Sequence, residues 1–144
     1  MKTISFYLSA GLLVTLLAFH TQITNLFKKE NSVSKNISLA VYTNNDYTSK
    51  EYENSVASVK LTVIKIEGEN QKTVWEKNLN ELSLKDYPQL NNAITESVSI
   101  PNIRNSKDKL AVIYTITYNT KGSVLQATYG ELISNTDVKV LIKI

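Results

Sequence analysis

The stretch KLAVIYTITYNTKGSVLQATYGELI, residues 109–133, carries one pattern almost without a break. Leu110, Val112, Tyr114, Ile116 and Tyr118 fall on every second residue, with Ala111, Ile113, Thr115 and Thr117 between them. A period of two places each row on its own side of an extended backbone, the mark of a strand with a covered face. Most of these residues are β-branched or aromatic, the types that fit a pleated surface. Asn119-Thr120-Lys121-Gly122 then breaks the run. Gly122 takes the left-handed position that a type I turn with a bulge calls for. Val124 to Leu132 return as the partner strand, and Val112 and Ile116 are expected in the core.

The same period recurs along the chain. Residues 36–43 (NISLAVYT) read as a first strand, followed by a long polar loop over 44–55. In residues 55–68, Ala57, Val59, Leu61 and Val63 share one face. The turn GENQ leads to a hairpin partner at 72–79, with Trp75 facing the core. Residues 80–92 lose the alternation, and Pro88 forbids a long helix there. They predict a short helix or a segment crossing the end of a sandwich. Residues 93–101 resume the strand pattern, which Pro101 is expected to end, and 102–108 turn. Residues 138–144 close the chain, with Val138, Val140, Ile142 and Ile144 on the buried side. About seven strands with short connections predict an all-β fold, a two-sheet antiparallel β-sandwich preceded by an N-terminal apolar helix. In this layout, residues 36–144 resemble the immunoglobulin-like and transthyretin-like sandwiches in architecture.

The helix is expected in residues 1–25. Lys2 precedes an uncharged run from Ile4 to Phe19, the layout of a secretory signal. As a helix this run spans about 24 Å at ~1.5 Å per residue, short of the ~30 Å bilayer core. No clean small-x-small cleavage site follows it, and Lys28 and Lys29 resemble a membrane-end anchor. A cleaved signal, a retained N-terminal membrane anchor and a helix of the fold all stay open, with residues 26–35 as a polar tether. Export fits a chain with 0 cysteines and a bacterial envelope, either periplasm, cell surface or extracellular space.

Composition removes much chemistry. Without cysteine there is no thiolate nucleophile or cysteine metal site, and the single histidine, His20, lies in the leader. Ser-His-Asp mechanisms and histidine zinc sites therefore lack their parts. The 16 basic residues are interspersed among 13 acidic ones, a net charge of +3, and no basic stripe suggests nucleic acid. Carboxylates remain: Glu51/Glu53, Glu67/Glu69 and Glu131/Asp137 are close pairs, and two facing carboxyls can hydrolyse a glycoside. The loop at 44–55 supplies Asp46, Glu51 and Glu53 as hard oxygen donors of the kind calcium takes. It also carries Tyr47 and Tyr52, whose flat faces and hydroxyls suit a sugar or peptide. The expectation is a non-enzymatic binding or interaction module in the cell envelope, with Tyr47 and Tyr52 as ligand contacts. No cofactor and no nucleic acid are expected, and the membrane enters only through the N-terminal segment. The partner is a protein, peptide or glycan. The alternatives are a carboxylate-dependent hydrolase acting on carbohydrate and a structural subunit of a surface assembly.

Overall fold

A computed structural model describes residues 31–144; the expected N-terminal helix and the start of the tether lie outside the described residues. The domain is all-β, with eight strands in two sheets. They are β1 (Ser32–Tyr42), β2 (Ser55–Glu67), β3 (Asn70–Asn78), β4 (Leu82–Ser83), β5 (Ile94–Arg104), β6 (Asp108–Thr120), β7 (Ser123–Ile133) and β8 (Asp137–Lys143). The smaller sheet runs β5-β1-β8 and the larger β3-β2-β6-β7, with the two-residue β4 beside β2. Among the described residues no helix is long and apolar enough to cross a membrane.

The alternation seen in the sequence becomes the core. Ala57, Val59, Leu61 and Val63 of β2 are all buried, as are Leu110, Val112 and Ile116 of β6. Ile37, Leu39 and Val41 of β1 join Val140 and Ile142 of β8 in the same apolar cluster. Each buried Val, Leu or Ile among them contributes about 1.5–3 kcal/mol by leaving water.

Four local readings change. β1 starts at Ser32, inside the expected tether, because Val33 pairs with Ile103 and packs on the core. Lys35 lies in that segment too; its stem is buried while Nζ donates to the Ser134 carbonyl at 2.8 Å. β5 does not stop at Pro101 but runs on to Arg104. The register slips there, between Val33↔Ile103 and Lys35↔Ile100, so Pro101 and Asn102 form a bulge on an edge strand. An edge tolerates a residue with no N–H, and Asn102 (φ 59°) supplies the bend. The β6–β7 hairpin closes on two residues, Lys121 and Gly122, with φ of 52° and 85°. Two positive φ values make a type I′ turn, whose twist matches the strands better than the expected type I turn with a bulge. Finally, one pairing is parallel. β1 runs antiparallel to β5 and parallel to β8, while all other pairings are antiparallel.

Residues 84–92 cross one end of the sandwich as two single 3-10 turns, Leu84–Asp86 and Leu90–Asn92. Leu84 and Tyr87 are its plugs. The Tyr87 hydroxyl donates to the Ala57 carbonyl at 2.9 Å, and burial pushes its pKa up to about 12. Trp75 is half-buried; an extra residue in β3 opposite Val63 and Ile64 lets both Val74 and Trp75 touch the core.

Candidate functional site

The loop between β1 and β2 is built on short-range bonds. The Asp46 carboxylate accepts from the Thr48 N–H (2.9 Å) and hydroxyl (2.7 Å), a turn typical of this side chain. These bonds hold its pKa below the ordinary carboxylate value. Lys50–Tyr52 form a single 3-10 turn. That geometry brings Tyr47 and Tyr52 together edge-to-face, with centroids 5.0 Å apart. Asn45 Nδ2 donates to the Tyr47 hydroxyl at 2.9 Å. A hydrogen bond with Glu51, and its negative charge, keep the Tyr52 phenol above its usual pKa.

Tyr47 and Tyr52 are half-buried and pack on the edge of the core. They do not stand free in solvent, as polar neighbours in sequence would suggest. The reason is the floor beneath them. With Leu84, Tyr118, Thr120, Ser123, Val124 and Leu125 they line an open, mainly apolar depression of about 420 Å³.

This depression opens onto a second row of tyrosines, Tyr114, Tyr118 and Tyr129, of which the alternation places the first two on the covered face of their strand. Tyr118 stands opposite Leu125, and Tyr114 opposite Tyr129, on the inner face of the larger sheet. The Tyr114 and Tyr129 rings stack with centroids 5.2 Å apart. Tyr114 and Tyr118 are half-buried, and partial burial raises the pKa of both. The Tyr114 and Tyr118 phenols therefore stay protonated at neutral pH and can donate hydrogen bonds. The result is a ledge of Tyr47, Tyr52, Tyr118, Tyr114 and Tyr129 with Leu125 among them. The signal for its second half was in the sequence: large aromatics on one face at 114, 118 and 129, where aliphatics fill other strands.

The expected calcium set is not assembled. Among the described residues no three His, Cys, Asp or Glu side chains come together to hold a metal ion. Asp46 turns to Thr48 and Glu51 to Tyr52, while Glu53 is exposed at the end of the 3-10 turn, so the three donors do not converge. In two of the carboxylate pairs, Glu67/Glu69 and Glu131/Asp137, one member is engaged elsewhere. Asp137 accepts from Asn36 Nδ2 at 2.8 Å. Glu67 and Asp108 both hold Arg104. Neither depression beside the loop is lined by two carboxylates.

Asp108 is the most perturbed acid. Its side chain has 0% exposure and accepts from the Arg104 backbone N–H (2.9 Å), Nε (3.2 Å) and Nη2 (2.9 Å). Lys65 Nζ lies 2.9 Å away on β2. The Arg104 bonds come first in holding its carboxyl well below the usual range, against the opposing effect of burial. A perturbed acid can mark an active site, but this one is fully occupied by ion pairs that fasten the β5–β6 hairpin to β2. No family model, curated protein or solved structure matches the chain.

Proposed function

We propose that this chain is an exported, non-enzymatic binding module of the bacterial cell envelope, and that the tyrosine ledge is its contact surface. The observation that carries this reading is the exposure of the ledge: Tyr129 is 51% and Leu125 67% exposed on the face that is core elsewhere in the same sheet. A contiguous exposed apolar face on a folded domain marks an interaction site. Tyrosine adds rigid area and a hydroxyl at low entropic cost. Of the two sandwich architectures, the strand order speaks for the transthyretin-like one. An immunoglobulin constant domain keeps its first and second strands in one sheet, whereas β1 and β2 lie in different sheets here.

Two measurements test the reading. On glycan and peptide arrays, Tyr47→Ala and Tyr52→Ala are each expected to weaken any wild-type signal tenfold or more, about 1.4 kcal/mol. Both rings touch the core without being enclosed by it, so each variant should lose only about 1–2 kcal/mol of stability, less than a buried aromatic truncation. Array signals that are identical in all three proteins would remove the ledge from the account. Export is checked separately by fractionating cells that express the chain with and without residues 1–25. The full chain is expected outside the cytoplasm and the truncated one inside; equal cytoplasmic recovery would end the export reading.

A further inference from the structure

The smaller sheet has an open edge. β8 pairs with β1 on one side and with no other strand among the described residues. The Asn36 N–H donates to the Thr136 carbonyl at 2.8 Å, and the Ile144 N–H donates to the Tyr42 carbonyl at 2.8 Å. These bonds turn the even-numbered peptide groups of β8 toward β1. Backbone groups alternate in direction along a strand, so those of Asp137, Lys139, Leu141 and Lys143 point away from the sheet.

Beside that edge the larger sheet is one strand wider. Lys77 of β3 meets Glu96 of β5 at 3.7 Å, which sets β5 over the β3 side. Counted from that contact, the two strand orders set β1 against β2 and β8 against β6, and among the described residues no strand is left to cover β7 beyond its buried end at Ile133. Burial follows this offset. Val112 and Ile116 of β6 are buried, but Leu125 and Tyr129 of β7, on the same face, are exposed.

We propose that the open edge and the uncovered floor are one site, a slot for a single extended peptide of about seven residues with acidic and apolar side chains in alternation. The proposal names the ligand class for the tyrosine ledge and rests on the reading of that ledge as a contact surface. The peptide adds to β8 as a fourth strand through the outward N–H and C=O groups, the β-augmentation mode. Its apolar side chains, every second residue, descend onto Leu125 and Tyr129. The others lie on the outer face, beside Lys139 and Lys143. Both lysines are exposed and form no ion pair among the described residues, and Leu141 between them is 47% exposed. Edge lysines ordinarily discourage indiscriminate strand pairing; above an apolar floor they select for a strand that brings acids. A second copy docking its own β8 would carry its wider sheet into the space β7 holds, so a lone strand fits where a whole sandwich does not.

The probe is a nine-residue peptide alternating glutamate with valine, compared with a version carrying lysine for glutamate. With the full chain, the glutamate peptide is expected to slow amide hydrogen exchange at Lys139, Leu141 and Lys143 at least tenfold. The lysine version should bind at least tenfold more weakly. Leu141→Pro deletes one outward N–H and no bond to β1, and it should abolish both binding and protection. The double change Lys139→Glu and Lys143→Glu leaves the backbone intact and should reverse the preference between the two peptides. Unchanged exchange in the presence of the glutamate peptide would overturn the proposal, as would an unreversed preference. So would an edge already protected in a dimeric protein without peptide, which would assign the edge to a second copy. If Leu141→Pro binds like wild type while Tyr52→Ala binds less, strand addition falls and the ledge reading stands. If neither variant changes binding, both fall.

Discussion

Asp108→Asn is expected to lower the thermal midpoint at pH 7 by roughly 10 °C or more, among the largest effects of any single polar substitution in this domain. The change keeps the shape and removes only the charge. Arg104 and Lys65, with side chains 28% and 25% exposed, would then face a neutral amide in a place built for a carboxylate. Lys65 then loses the Asp108 carboxylate while Arg104 keeps Glu67, and removing one partner of a buried ion pair costs more than the pair contributes when intact. In a domain of this size such a loss moves the midpoint by many degrees. The same carboxyl gives the domain an acid limit. Its folded pKa lies below the unfolded value of about 3.9, so its contribution is complete above about pH 5 and declines as pH falls through and below 4. The gap between wild type and Asp108→Asn should therefore be widest at neutral pH and shrink toward pH 2. Melts at pH 7 and pH 2.5 check both statements. A gap of under ~2 °C at pH 7, or one that widens in acid, would show that the ion pairs are incidental to stability.

Ile116→Ala should destabilise by about 2–5 kcal/mol, the usual range for truncating a buried aliphatic side chain. Ile116 is 2% exposed and pairs with Val59 of β2 in the middle of the larger sheet. Its neighbours belong to the shared core and cannot collapse into the space without moving a strand. Urea unfolding of wild type and variant measures the difference, with an unchanged slope expected. A change under ~0.5 kcal/mol, typical of surface positions, would mean that the inner face of β6 is assigned wrongly.

How far the sequence alone reaches depends on the range of the interaction. Period-two alternation is local, and it named the buried rows of β2, β6 and β8: Ala57 to Val63, Val112 and Ile116, and Val140 to Ile144 are buried, while Val138, expected beside them, is half-buried. Turn chemistry is local too, and it located the hairpins at Gly68 and Gly122, though not the turn type at the second. Local rules gave way where the neighbours decide. Pro101 stops a central strand but not an edge strand, and residue order alone does not tell which a strand is. The Tyr47 and Tyr52 rings lie in a polar stretch of sequence, yet they pack on the edge of the core and line one depression with Tyr118 and Leu125, brought near only by the β2–β6 and β6–β7 pairings.

The ion pairs of Asp108 show the same limit. Residues 102–108 read as an ordinary turn, because Lys65 and Glu67 come to Arg104 and Asp108 only through the pairing of β2 with β6. Likewise, no sequence signal ties β1 in parallel to β8, the two ends of the domain. That the chain is all-β, and which residues share a face, were both legible beforehand, since each follows from alternation along a single strand. Which faces are covered depends on how the two sheets pack, which no single strand records. Val112 and Tyr129 share the inner face of one sheet; the first is buried in the core that both sheets share, and the second, on the edge strand β7, is half exposed.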